Sequence, residues 1–357
     1  MKDRKFKSKM IGSRNGEFMK RSIIKLKSNV IAAATVVGGK EHEGPLSGFF
    51  DLCDPEDSFG QDTWEKSESE MQRRALAVAM KKSGLAAEDI DAVFAGDLLN
   101  QCVGSAYGLL DYGIPYFGLY GACSTSAESI MLAATLTSGG FATRAAAVTS
   151  SHNCSAERQF RTPTEYGGQR SPTAQWTVTG AGAYIVGKEG SGARITEALP
   201  GIAVDKGISD ASNMGAAMAP AAMDTLVRYF TESGRAPRDF DMILTGDLGY
   251  EGSSILCELL KNEGIDISRV HSDCGMMIYN RETQDVHSGG SGCGCAATVL
   301  GAYVLPKLER GELSDVLFLA TGAMMSPASI QQGLSIPSIA HLLHLEAPKK
   351  EDRKLWL

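Results

Sequence analysis

Past a polar start, Ser28 to Val37 (SNVIAAATVV) is a nearly unbroken apolar, β-branched run that stops at Gly38-Gly39, and it predicts a first strand. Trp64 to Ser83 repeats apolar residues at helical spacing among Glu, Lys, Ala and Met and ends before Gly84, which predicts a helix. Asp89 to Ala95 (DIDAVFA) and Ile114 to Leu119 are short apolar runs closed by Gly96-Asp97 and Gly121, and both read as buried strands. A small-residue helix over Ser124 to Thr137 stops at Ser138-Gly139-Gly140, and Arg144 to Ser150 (RAAAVTS) returns as a strand. Strand, helix and strand in this order are the grammar of an α/β domain.

The same pattern recurs. Asp239 to Gly249 (DFDMILTGDLG) echoes Asp89 to Leu98 (DIDAVFAGDL). Ser288 to Cys295 (SGGSGCGC) then opens a helical run over Ala296 to Leu308, and Asp315 to Gly322 (DVLFLATG) matches Arg144 to Ser150. Three echoes in one order predict an internal duplication. Asp97 and Cys123 are 26 positions apart and Asp247 and Cys295 are 48 apart, so the second copy carries an insertion, placed near Arg281 to Val286. The expected division is a basic extension over 1–27, a first half with inserted loops over 28–232 and a second half over 233–357. The Gly-rich segments fall where strands hand over to helices, which is where α/β folds place ligands.

Composition narrows the function classes. A chain of 357 residues that is 43% hydrophobic can build a large core, and no run of about 18 apolar residues predicts a membrane span. The first residues are charged rather than apolar, unlike a secretory signal. Met19 begins a plausible start of its own, which would make Met1 to Phe18 an extension with no structural role. Up to Thr35, ten basic residues oppose only Asp3 and Glu17, a balance of +8 that leaves −15 for the remainder of a chain whose net charge is −7. An acidic body argues against nucleic acid as a partner. The basic arm reads either as a solvated tail or as a contact for anionic lipid or a partner. Eight irregularly spaced cysteines do not form a disulfide framework and are expected as reduced thiols in a cytoplasm-like compartment.

One cysteine carries a chemical signature. Gly121-Ala122-Cys123-Ser124-Thr125-Ser126 lies between a strand and a small-residue helix, where a sharp turn lifts the Cys123 side chain into a cleft. The helix N-terminus is expected to favour thiolate there. The competing reading is a small hydrophobe packed in a core.

Gly121 to Ser126 and the paired βαβ units resemble the thiolases and β-ketoacyl synthases. The resemblance implies an α/β, thiolase-like fold of two pseudo-symmetric halves in α/β/α/β/α layers. It also implies an acylated cysteine served by histidine or asparagine from the second half. Those groups are replaced here. Gly246-Asp247 follows the strand-like Met242 to Thr245, and Gly289-Gly290-Ser291-Gly292 stands where a Gly-His-Pro or Gly-Asn-Thr signature is implied. His287 is adjacent but displaced. The expectation is a binding protein and not an enzyme, with an acyl-thioester condensing activity through Cys123 and His287 or His152 as the alternative.

A narrower resemblance spans the chain from about Met19. The runs AGDLLNQ (Ala95 to Gln101), FGLYGACSTSAESI (Phe117 to Ile130), TSSHNCSAERQFRTPTEYGGQ (Thr149 to Gln169), NMGAAMAPAAMDT (Asn213 to Thr225), DCGMMIY (Asp273 to Tyr279) and GGSGCGC (Gly289 to Cys295) resemble the stage V sporulation protein AD family. That family implies a dipicolinic acid-binding, peripheral subunit of the SpoVA apparatus at the inner membrane of the forespore and spore. The subunit would act in dipicolinate uptake and in its release at germination, alongside the other SpoVA subunits, and the resemblance to the thiolase superfamily implies a homodimer.

Candidate ligand-binding residues are Cys123, Asn100, His152, Asn153 and Arg158, with Cys123 a vestigial nucleophile. A guanidinium offers a planar fork to a carboxylate, although Arg158 and Arg161 could instead bridge Glu157 and Glu165. Gln101 could add an amide. Asp97 and Asp247 read as matched loop-fixing residues. Gly180-Ala181-Gly182-Ala183 precedes a strand, not a helix, so it is not a dinucleotide fingerprint. Cys293-Gly294-Cys295 lacks a second ligand pair and reads as a tight turn rather than a metal site. No metal or cofactor is expected. His42, His271, His341 and His344 have no partner visible in the sequence, and surface or capping roles are expected for them.

Overall fold

The computed structural model describes residues 23–160 and 170–349. The basic arm up to residue 22, Arg161 and Glu165 therefore lie outside the described residues.

Thirteen strands occur among these residues: β1 (Ile24–Gly38), β2 (Leu52–Asp54), β3 (Ala92–Gly96), β4 (Tyr116–Gly118), β5 (Arg144–Ser151), β6 (Trp176–Thr177) and β7 (Gly180–Gly187) in the first part. The second part holds β8 (Arg194–Leu199), β9 (Met242–Thr245), β10 (His271–Asp273), β11 (Gly290–Ser291), β12 (Asp315–Ala323) and β13 (Ser338–Glu346). The large sheet runs β10-β9-β12-β13-β8-β1-β7-β5-β3-β4, with β2 added on β1. Its order is a palindrome about the β1–β8 pair. In each half three parallel strands (β4, β3, β5 and β10, β9, β12) are followed by two antiparallel ones (β7, β1 and β13, β8).

The duplication is deeper than the sequence echoes suggested. The Trp64–Ser83 and Met214–Ser233 helices are both 20 residues long and start 150 positions apart, as do β3 and β9 and as do Asp97 and Asp247. Both helices open on a side-chain cap, Thr63 accepting from Lys66 N and Asn213 from Ala216 N. Both close on a glycine in the left-handed region, Gly84 at φ 67 and Gly234 at φ 68. The second half therefore begins at β8, near Arg194, and the boundary expected at residue 233 is corrected. It fell at the end of a helix that belongs to the second copy. The strand expected from Ser28 likewise starts at Ile24, so residues 24–27 belong to β1 and not to the extension. The extra length of the second copy sits mainly between β10 and its inner helix, around a short helix at Cys274–Met277 and the 281–286 loop.

The layering follows from composition. The Thr125–Gly139 helix (TSAESIMLAATLTSG) is apolar or small on nearly every side, and it touches β5, β3 and β1 of one half and β12 and β13 of the other. The helices at Trp64–Ser83 and Met214–Ser233 cover the outer faces, on β1, β7 and β5 and on β13 and β12 respectively. This is an α/β/α/β/α sandwich.

Glycines set the spacing of its middle layer. A Cβ on Gly294 would lie 2.3 Å from the Gly180 carbonyl oxygen, and one on Gly182 would lie 2.7 Å from Ala297 Cβ. The Cys293–Val299 helix therefore rides directly on β7. The continuous helix expected over Ala296 to Leu308 is interrupted by a π-helical turn at Leu300–Val304. There the Tyr184 hydroxyl donates to the Ala297 carbonyl, which also accepts from Leu300 N. The run at Ile114 to Leu119 shrinks to the edge strand β4, whose three residues are all exposed, against the buried strand expected. The run Gly180 to Ala183 lies within β7, which leaves no helix N-terminus to hold a phosphate.

Candidate functional site

Cys123 sits on the expected sharp turn. Ala122 takes φ 51, a left-handed conformation rare for a residue with a Cβ, and the chain then enters the Thr125–Gly139 helix. The turn is braced from the other half, because a Cβ on Gly322 of β12 would lie 2.3 Å from the Gly121 carbonyl oxygen. The Cys123 side chain lines a cavity of about 370 Å³ that also takes walls from Tyr120, Phe160, Arg170, Gln175 and Met214. That size falls at the small end of ligand sites.

The electrostatics invert the sequence expectation. Burial, and after it the Asp247 carboxylate facing the thiol, push the Cys123 pKa well above its ordinary value. The helix dipole is outweighed because the sulfur is desolvated next to an anion. Asp247 is fully buried, and burial raises it to about 6 even though Gly292 N donates to Oδ2 at 2.8 Å and Thr321 Oγ1 to Oδ1 at 2.9 Å. Asp247 thus fixes the Gly-rich loop, as expected of a loop-fixing residue, and it also controls the thiol. Its counterpart Asp97 accepts from Leu99 N and from Ser105 N and Oγ. Glu68 beside Asp97 is raised to about 8 by burial and then by that neighbouring charge.

Of the five residues proposed for the ligand, only Cys123 lines the cavity. Asn100 is exposed at the surface, where its backbone N–H donates to Gln159 Oε1. Gln101 is also exposed and takes φ 55. His152 is fully buried, with Nε2 2.9 Å from the Asp57 carbonyl oxygen and its ring 5.4 Å from that of Trp64. Burial lowers its pKa. Asn153 donates to the Thr177 carbonyl and so ties its helix to β6. Arg158 pairs with Glu65 across the surface, not with Glu157. His287 is held by Ser171 O at 2.7 Å and Asp285 Oδ1 at 3.1 Å. Neither His152 nor His287 is bonded to Cys123, and the titratable side chain that faces its sulfur is Asp247.

Arg170 is the residue the sequence reading missed, one position beyond the last one quoted from its run. Its side chain is 6% exposed, Nη2 is bound to Asp285 Oδ2 at 2.6 Å and to Asp285 O at 3.0 Å, and the guanidinium lies 4.7 Å from the Trp176 ring centroid. Nη1 is buried with no partner among the described residues.

All eight cysteines are free thiols. Cys293 is packed against Cys123, and its Sγ donates to the Ser150 carbonyl at 2.8 Å. His341 is buried in β13 and accepts from Gly201 N at 3.1 Å, and His344 is buried beside Asp315, Glu197 and Arg235, so neither takes the surface or capping role expected. Asp315, His344 and Glu346 are close enough to share a cation, but Arg235 donates to Asp315 at 3.0 Å and lies 3.3 Å from His344 Nε2, so a cation is already in place. No helix among the described residues is long and apolar enough to cross a membrane.

The profile of the stage V sporulation protein AD family matches residues 19–346. The chain belongs to that family. The stage V sporulation protein AD of Bacillus subtilis (strain 168) is 46% identical over 312 residues, covering 87% of this chain and 92% of that protein. Membership makes this a sporulation protein. Among solved structures, Xanthomonas campestris OleA aligns over 90% of this chain and 98% of its own, with a TM-score of 0.57 and 14% identity. The 3-oxoacyl-[acyl-carrier-protein] synthase III of Aquifex aeolicus VF5 aligns over 89% and 99%, with a TM-score of 0.53 and 11% identity. These likenesses establish the thiolase-like fold.

Proposed function

We propose that this chain is a non-catalytic, dipicolinic acid-binding subunit of the SpoVA apparatus, acting in dipicolinate uptake into the forespore and its release at germination. The observation that carries the reading is the cavity at Cys123, whose thiol is held protonated by burial and Asp247 with no histidine bonded to it. A condensing enzyme needs a thiolate and a donor for the developing oxyanion. Here the nucleophile's position has become a neutral wall, which packs against an aromatic ring at less cost than a charged group would.

Calorimetric titration of the full chain with dipicolinic acid is the test. Saturable binding that disappears in a folded Cys123→Trp variant supports the reading. No binding at millimolar ligand, or unchanged affinity in Cys123→Trp, refutes it. An acyl mass increment on Cys123 after incubation with acetyl-CoA or malonyl-CoA would instead favour the condensing activity.

Association with the inner membrane would then run through other SpoVA subunits. A homodimer is supported by the edge of the sheet at β4, where Tyr116, Phe117 and Tyr120 are 39%, 51% and 44% exposed. A strand edge flanked by apolar side chains favours pairing with another copy. Light scattering should give the mass of a dimer for the wild type and of a monomer for Phe117→Glu. A monomeric wild type removes the dimer from the proposal.

A further inference from the structure

We propose that Arg170 is the carboxylate anchor of the cavity and the residue that selects anionic ligands. The inference rests on the ligand-binding reading above and adds to it a specific contact that the sequence did not suggest.

A guanidinium carries five N–H donors in a fixed fork and stays charged when buried, so each unpaired donor in a dry site is costly. Arg170 spends one side of its fork on Asp285 and lays its plane near Trp176, and these contacts account for its position. They do not account for Nη1, which is buried, lacks a partner among the described residues, and belongs to a side chain lining the cavity. The counter-charge is also lopsided. Asp285 is shared among Arg170, His287 at 3.1 Å and Lys40, whose Nζ lies 3.3 Å from the Asp285 carbonyl oxygen and 3.8 Å from the Trp176 centroid. Its carboxylate is 73% exposed, so solvent screens it, while Arg170 on the cavity side is almost fully enclosed.

The chain that follows Arg170 is fixed. Gln175 Nε2 donates to the Asp247 and Gly290 carbonyls at 2.7 and 2.9 Å, and His287 holds Ser171 O. An arginine whose side chain lines a small cavity and keeps one buried donor without a partner among the described residues suits an incoming carboxylate. Arg158, exposed at the surface and paired with Glu65, does not.

The probes are dipicolinate, picolinate with one carboxylate, and pyridine-2,6-dimethanol with none, titrated calorimetrically into the full chain. The wild type should prefer both acids to the diol. Arg170→Gln should weaken both acids about 30-fold, equivalent to about 2 kcal/mol, and abolish the preference over the diol. Arg170→Lys keeps the charge but cannot hold Asp285 and a ligand carboxylate in one fork, so a loss of about ten-fold is expected. This variant serves if the glutamine variant does not fold. Acid affinities unchanged in whichever variant folds would overturn the anchor while leaving the binding reading intact. A wild type that binds none of the three probes would instead remove the reading on which the anchor rests.

Discussion

Replacing Asp247 with asparagine removes a charge from beside Cys123 while keeping the side chain's shape. Asparagine Oδ1 can still accept from Gly292 N, and its amide can donate to Thr321 Oγ1, because a hydroxyl works in either direction. The thiol then loses an anionic neighbour. Two unit charges about 4 Å apart at an effective dielectric of about 20 interact by about 4 kcal/mol, which corresponds to about a thousand-fold in thiolate population. A less basic thiolate is also a weaker nucleophile, and with a Brønsted coefficient of about 0.4–0.5 roughly half of that logarithmic gain is returned. The net expectation is about a 30-fold faster reaction of Cys123 with a small neutral disulfide such as bis(2-hydroxyethyl) disulfide at pH 8. The rate is read by mass spectrometry of the Cys123 peptide, which separates it from the other seven cysteines. Asp247 protonates at about 6 in the wild type, so the two rates should converge as the pH falls below that value. Equal rates at pH 8 would show that the Asp247 charge does not reach the sulfur, and the part assigned to Asp247 in holding the thiol neutral would fail.

The other buried acids make stability depend on pH. Burial raises Glu41 and Asp273 to about 7 each, so both bind a proton more readily in the fold than in the open chain. The resulting penalty is absent below the unfolded value and complete above pH 7. Moving a glutamate from 4.5 to about 7 corresponds to about 3 kcal/mol. His271 and His341 act in the opposite direction. Burial lowers each to about 4, so stability is lost as the pH falls from the unfolded value of 6.5 toward 4. Glu68, raised to about 8, acts in the same direction as Glu41 and Asp273, so urea midpoints should fall from pH 6 to 8.5, and a midpoint still rising from pH 6 to 8 would contradict the burial argument.

Much of the fold was legible because its signals are local. The 3.6-residue period over Trp64 to Ser83, the capping Thr63 and the closing Gly84 lie within one stretch of chain, and the helix fell where they put it. The Asp97 and Asp247 echo revealed the duplication for the same reason. β8 and β13 escaped notice. Each takes its place through partners far along the chain, β13 on β12 and β8 and β8 on β1, and the alternation within so short a strand as β8 is weak. The helix Met214–Ser233 was quoted only as a motif, and without β8 before it the second copy seemed to start at residue 233. The candidate site divided in the same way. Cys123 was readable from its turn residues, whereas Asn100, His152, Asn153 and Arg158 were chosen for their chemistry, and none of the four lines the cavity.

The sequence by itself determined the two-fold α/β plan, the small-residue turn that lifts Cys123, and the replacement of the implied histidines by Gly246-Asp247 and a glycine-rich loop. Each of these is a property of neighbouring residues, which chain connectivity alone holds together. The tertiary structure decided the charge state of that cysteine and the place of Arg170. Cys123 and Asp247 are 124 positions apart, and Arg170 and Asp285 are 115 apart. Whether a thiol ionises or a guanidinium keeps an unpaired donor depends on how much water remains and which charge lies a few ångströms away, and only the packing of the two halves sets both.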